Sequence, residues 1–236
     1  GGKCINVSRA IRQIGGNPLV ISALGGHSGR QIINSARSEG IELLAVRTKN
    51  GTRQYAVIWD EANQVTTHLS ESWSKLTPAE WRSYIKLIDR QLNNEQTFDA
   101  AIISGRMPSG VNAGEVIPLV KMITDAHIPC FIDSAGDTLG PLLASKPTAV
   151  KINNNEAATY IGQPITTIQE AKAACKRLVA EGVQLCVITM GEHGAVGATC
   201  DEAYHVKIDG FGPWPVGSGD SFMGGMVVKW AQSKSL

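Results

Sequence analysis

Excess charge is the first thing missing from this sequence. It has 22 Lys and Arg against 21 Asp and Glu, a formal net charge of +1 over 236 residues. A chain so balanced exerts no long-range pull on nucleic acid or an anionic membrane, so any phosphate site must be built locally. Long apolar runs are missing too, and nothing approaches the roughly 18 residues of a membrane span. The five cysteines (Cys4, Cys130, Cys175, Cys186 and Cys200) form no close pair. That pattern reads as free thiols in a reducing, cytoplasmic setting, with neither disulfides nor zinc. Cys175 and Cys186 lie in apolar patterns and read as small core residues. The five histidines make no H-x-x-x-H or H-x-H pair, which leaves metal chemistry through histidine without support. A methionine start and a signal peptide are also absent before Gly1-Gly2-Lys3, and the chain stops at Leu236 soon after an apolar helical stretch. It therefore reads as an excerpt truncated at both ends.

What is present is an alternation of strand and helix patterns. The runs PLVISAL (18–24), DAAIIS (99–104), PCFID (129–133) and QLCVITM (184–190) are short, unbroken and bounded by polar residues or glycine. Such runs are expected of strands buried on both faces. Between them, Trp81, Tyr84, Ile85, Ile88 and Leu92 trace a helical stripe. That stripe opens with Thr77-Pro78-Ala79-Glu80, a capping box with proline at the first helical position. Thr167 and Glu170 repeat the box ahead of Ile168, Ala171, Cys175, Leu178 and Val179. The rhythm predicts an α/β fold with a mostly parallel sheet covered by helices. From residue 42 to 69, LLAVRT, RQYAVIW and QVTTHL follow one another with turns and no helix, which predicts a small antiparallel appendage. Residues 194–199 and 203–207 predict a further hairpin.

Three clusters could carry chemistry, and in parallel sheets ligands bind at the carboxyl ends of strands. In Gly217-Ser218-Gly219-Asp220, glycines precede an apolar helix whose first amides and dipole favour an anion. A carboxylate there is useful as a base toward a hydroxyl attacking a phosphoryl group. It is equally explained as an acid that stabilises a helix N-terminus. Lys151, Asn153 and Glu156 offer a cation, an amide and a carboxylate where strand gives way to helix. A capping box between Asn153 and Glu156 is the better account of that spacing alone, with Mg²⁺ held through waters and phosphate oxygens as the functional version. Thr189-Met190-Gly191-Glu192-His193-Gly194 follows a buried strand and fits either a nucleotide-approaching loop or an ordinary tight turn.

Taken together, these residues resemble the ribokinase (PfkB) family of carbohydrate kinases. Gly1-Gly2-Lys3-Cys4-Ile5-Asn6-Val7-Ser8-Arg9 is similar to its amino-terminal signature, and Gly217-Ser218-Gly219-Asp220 to its carboxyl-terminal one. Lys151-x-Asn153-x-x-Glu156 resembles its metal-and-phosphate motif, and Thr189 to Gly194 its nucleotide turn. All four occur in the family's order across the whole chain. Residues 24–29, Gly51-Thr52-Arg53, residues 103–108 and Asp133-Ser134-Ala135-Gly136 resemble the branch of 1-phosphofructokinase, tagatose-6-phosphate kinase and the minor 6-phosphofructokinase.

The resemblance implies a ribokinase-like three-layer α/β/α sandwich with a mostly parallel central sheet. It implies a single domain over residues 1–236, with small β-lid strands inserted at about 42–69 and pairing of two subunits through the lid. The implied reaction is ATP-dependent phosphorylation of a hydroxyl on a ketohexose phosphate, tagatose 6-phosphate, fructose 1-phosphate or fructose 6-phosphate, with Mg²⁺. Asp220 is then the catalytic base, and Gly217, Ser218 and Gly219 supply amides to the transferring phosphoryl. Gly1, Gly2 and Asn6 hold sugar hydroxyls, Lys3 and Arg53, with Arg106 beside them, hold the substrate phosphate, and Ser104 is a further substrate-binding residue. Lys151, Asn153, Glu156, Thr189, Gly191 and Gly194 serve ATP, with Asn153 and Glu156 toward the metal. Arg53 by itself reads more simply as a solvated strand residue.

The chain departs from the pattern at Cys4, usually glycine, at Arg106, where a second serine is usual, and at Pro215, often threonine. The family's first strand, which carries a sugar-binding aspartate, and its last helices are not in the sequence, so low stability and weak activity are expected. A non-catalytic sugar- or nucleotide-binding protein, and a kinase for an unphosphorylated sugar or nucleoside, are the competing readings. A Rossmann dehydrogenase is rejected, because no G-x-G-x-x-G follows a first strand.

Overall fold

The computed structural model describes residues 2–63, 65–72, 75–210 and 216–234. Gly1 and Pro215 therefore lie outside the described residues. In chain order the helices are α1 (Lys3–Gln13), α2 (Gly26–Ser38), α3 (Pro78–Leu92), α4 (Val116–Asp125), α5 (Leu139–Ala144), α6 (Asn154–Ile161), α7 (Ile168–Ala180) and α8 (Ser218–Ser233). The strands are β1 (Leu19–Gly25), β2 (Glu42–Thr48), β3 (Tyr55–Asp60), β4 (Val65–Ser70), β5 (Ala101–Ser104), β6 (Cys130–Asp133), β7 (Ala149–Asn153), β8 (Leu185–Thr189), β9 (Ala195–Ala198) and β10 (Ala203–Val206). Two compact units result, one of Gly1–Pro18, Gln91–Arg106 and Ala113–Leu236, the other of Leu19–Arg90 and Met107–Asn112.

The first unit holds a six-stranded sheet in the order β10-β9-β8-β7-β6-β5. Strands β5 to β8 run parallel, and β9 and β10 return as antiparallel neighbours. The unbroken apolar runs are the reason: Cys130, Phe131, Ile132, Val150, Ile152 and Ile188 are all fully buried. A strand covered on both faces has no use for polar alternation. Helix α1 lies against α8, where Val7 and Ile11 join Met223 and Val227 in one cluster with Phe131 and Ala149. The crossing is close at Gly224, where an added Cβ would stand 2.9 Å from the Cβ of Ala10.

All three capping boxes legible in the sequence are formed. Thr77 and Glu80 exchange bonds ahead of α3, Asn153 and Glu156 ahead of α6, and Thr167 and Glu170 ahead of α7.

The second unit differs from the expectation in one respect. Of the three segments read as antiparallel, only β3 and β4 form an antiparallel pair. β2 runs parallel to β1, in register from Leu19↔Glu42 to Gly25↔Thr48, in a two-stranded sheet of their own. The cause is α2, which carries the chain back so that β2 starts where β1 started, as a helical crossover does. The run 18–24 thus belongs to this small sheet rather than to the large one.

Candidate active site

The register of the large sheet sets the polar residues in a row. Ser104 ends β5 opposite Asp133 at the end of β6, and Asn153 ends β7 opposite Thr189 at the end of β8. Four carboxyl ends therefore present Ser104, Asp133, Asn153 and Thr189 in sequence along one edge. The first turns of α1 and α8 meet this edge near its middle.

Helix α8 opens at Gly217, whose φ of +88° is left-handed, and no side chain caps its first turn. First-turn amides have no acceptor within their helix, so the turn formed by Ser218, Gly219 and Asp220 suits an anion. Asp220 is buried, with 7% of its surface exposed. Its Oδ2 accepts a hydrogen bond from Asn6 Nδ2 at 2.8 Å, which ties it to α1. Burial pushes its carboxyl above the usual range; the Asn6 bond opposes this, Asp133 adds to it, and Lys3 and Lys151 oppose it without reversing it.

Two ammonium groups flank Asp220. Lys3 stands in the first turn of α1, where the helix dipole disfavours a cation. Its Nζ donates to Asp133 Oδ1 at 2.8 Å. Burial by itself would pull its ammonium down, yet Asp133, Glu156 and Asp220 hold it above its ordinary value. Lys151, on β7 and only 3% exposed, donates to Asp133 Oδ2 at 3.0 Å and to the carbonyl of Gly219 at 3.1 Å. A Cβ on Gly219 would lie 3.0 Å from that ammonium, so the glycine leaves room for it next to Asp220.

Asp133 was not singled out from the sequence as a site residue, although its segment was. It is fully buried and holds both lysines. A lone acid closing an apolar strand is the signal that could have found it, since burying a carboxylate requires cations nearby.

On the side of β5, the Oγ of Ser104 is buried and has no hydrogen-bond partner among the described residues. Arg106 is exposed and reaches Gly136, where an added Cβ would be 4.0 Å from its Cζ. Gly2 precedes α1, accepts bonds from the amides of Ile5 and Asn6, and has open space where a Cβ would be. Arg53 belongs to the second unit, where it donates to Ser70 Oγ at 2.6 Å and lies over the Tyr55 ring.

On the side of β7 and β8, Asn153 Oδ1 accepts from the Glu156 amide at 2.8 Å, and Glu156 Oε2 accepts from the Asn153 amide at 2.9 Å. The cap thus occupies one oxygen of each. Gly191 opens a turn closed by bonds from Met190 N to Gly194 O and from His193 N to Met190 O, and the space at Gly191 is open. Gly194, at φ +82°, backs onto the Val206 carbonyl, which leaves no room for a side chain.

The profile of the pfkB family carbohydrate kinases matches residues 1–236. This chain belongs to that family. It is 28% identical over 244 residues to the ATP-dependent 6-phosphofructokinase isozyme 2 of Escherichia coli K12, covering 100% of this chain and 76% of that one. Its fold matches the crystal structure of phosphofructokinase-2 from Escherichia coli in complex with fructose-6-phosphate, with a TM-score of 0.89 and 27% identity over 100% of this chain and 77% of the other. A structure described as a possible 1-phosphofructokinase from Thermotoga maritima matches in fold at a TM-score of 0.88 and 23% identity, covering 100% and 74%. The α/β fold is therefore ribokinase-like, as the resemblance implied. A pfkB carbohydrate kinase is a phosphotransferase with an alcohol acceptor, and the family implies ATP as donor.

Proposed function

We propose that the protein transfers the γ-phosphoryl group of ATP to a hydroxyl of a ketohexose phosphate: tagatose 6-phosphate, fructose 1-phosphate or fructose 6-phosphate. The observation that carries this reading is Asp220, buried in the first turn of α8, oriented by Asn6 and flanked by Lys3 and Lys151. Asp220 takes the proton of the attacking hydroxyl, and its raised carboxyl makes it a better base than an exposed aspartate. The first-turn amides following Gly217 face the charge that builds on the transferring group. Gly2, Asn6 and Ser104 bind sugar hydroxyls; the buried, unpartnered Ser104 Oγ is suited to this. Lys3 and Arg106 bind the substrate phosphate; Arg53, which the family resemblance also assigns to it, is carried on the other compact unit.

Lys151, Asn153, Glu156, Thr189 and Gly191 serve the nucleotide. Among the described residues no group of three acidic, His or Cys side chains could cage a metal ion. Glu156, with Oε2 accepting the Asn153 amide, fits Mg²⁺ carried mainly by ATP oxygens and water, with Asn153 beside it. When bound, that ion neutralises charge on the β- and γ-phosphates. The β3–β4 hairpin is taken as the lid of a single domain. Ile58, Val65 and Leu69 share one of its faces and are half exposed, which supports pairing with a second subunit there.

The test is ADP release from Mg-ATP with tagatose 6-phosphate, fructose 1-phosphate, fructose 6-phosphate, fructose and ribose. Turnover on a phosphorylated ketose, abolished in Asp220→Asn, is expected. Equal turnover on fructose or ribose would overturn the acceptor, and an active Asp220→Asn would overturn the base.

A further inference from the structure

Asp133, the most buried acid of the site, has been given no role in holding sugar, phosphate or nucleotide. Its carboxylate spans two cations on different elements: Lys3 of α1 on Oδ1 and Lys151 of β7 on Oδ2. Each cation leads to the base by a separate route. Lys151 continues to the carbonyl of Gly219, the residue before Asp220. Lys3 lies one helical turn from Asn6, which donates to Asp220 Oδ2. The backbone of Asp133 is fixed as well, since its carbonyl accepts the amide of Gly105. One residue of β6 thus anchors the first turns of both α1 and α8.

We propose that Asp133 is the positioning residue of this site, its two oxygens holding Lys3 and Lys151 off Asp220 and in the geometry that aims the base. The inference rests on Asp220 being the base. The electrostatics require such a residue. Lys3 on α1 and Lys151 on β7 both face Asp220, and Glu156 of α6 faces Lys3. Lys151, with 4% of its side chain exposed, cannot retreat to water. Without Asp133, Lys3 is left with Glu156 and Asp220 and Lys151 faces Asp220, and a carboxylate drawn into an ion pair is a poorer proton acceptor. Loss of Asp133 also removes its repulsion of Asp220. Both effects shift the ionisation of Asp220 to lower pH.

Asp133→Asn keeps the shape and removes the charge. Protein labelled with ¹³C at aspartate carboxyls, with the Asp220 resonance identified by its loss in Asp220→Asn, is titrated alongside the ADP-release assay. The expected result is a lower titration midpoint for Asp220 in Asp133→Asn, with kcat down about a hundred-fold, as for a misaimed group. A kcat within two-fold of wild type overturns the proposal. So does a loss of kcat with the wild-type midpoint, which marks a merely structural residue. If the wild-type protein turns over no acceptor, the proposed reaction fails while the titration still decides the role of Asp133. Should Asp133→Asn not fold, Asp133→Asn/Lys151→Met removes the buried cation with its counter-ion and is compared with Lys151→Met. The added change must again lower the midpoint, and an unchanged midpoint overturns the proposal.

Discussion

At the scale of single residues the site trades stability for chemistry, and Asp220 shows it. Its folded carboxyl sits above the ordinary value, chiefly because of burial. In the unfolded chain it ionises near pH 3.9. The folded state therefore holds its proton more tightly, and stability falls as pH rises from about 4 through the raised folded value. Asp220→Asn, which keeps an acceptor for Asn6, is expected to melt higher than wild type at pH 7 and at the same temperature at pH 3. Equal melting at pH 7 would contradict that sign. Lys3 behaves in the opposite way: its raised ammonium contributes stability below about pH 10.5 that is lost as pH climbs through the folded value. Gly219→Ala tests the packing beside the base. Alanine favours a helix by about 1 kcal/mol over glycine, so stability should hold. The new methyl displaces the Lys151 ammonium, and kcat should fall while the melt barely moves.

At the scale of elements, helix caps separate structural from functional work. Thr167→Ala loses a cap and nothing else, at about 1 kcal/mol in urea unfolding, with an unchanged KM for ATP. Asn153→Ala should lose a similar amount and also raise that KM; an unchanged KM would leave Asn153 a cap alone. Gly224→Ala is the matching test of helix packing. Its methyl meets Ala10, so α1 and α8 must part, at about 1–3 kcal/mol, and Lys3 and Asn6 move with α1. These caps were legible because a capping box is local, with both partners three residues apart. The strands of the large sheet were legible because double burial leaves unbroken apolar runs. The parallel pairing of β1 with β2 was not, since nothing within residues 42–48 records the partner. Asp133 escaped notice for the same reason: its value depends on Lys3, 130 residues away. The turn at Asp220, by contrast, was legible as a helix start, because glycines ahead of an apolar helix are a local signal.

At the scale of the molecule, each unit has its own pattern of protection. In β3 and β4 most residues are exposed, whereas β6 is buried throughout and β7 nearly so. Amide hydrogen exchange should therefore be fast along the β3–β4 hairpin by local opening. In β6, β7 and β8 it should proceed only with global unfolding. Protection of the hairpin equal to that of β6 would overturn this.

The bond between Asn6 and Asp220 joins residues 214 positions apart. During synthesis, Lys3 and Asn6 leave the ribosome long before the carboxylate they serve has been made. Until α8 arrives, the apolar stripe of α1 that includes Val7 and Ile11 lacks Met223 and Val227. Contacts of such long range form slowly, and partly assembled chains with open apolar surface are prone to associate. Until α8 has been made that stripe stays open, and the bond between Asn6 and Asp220 cannot form before then.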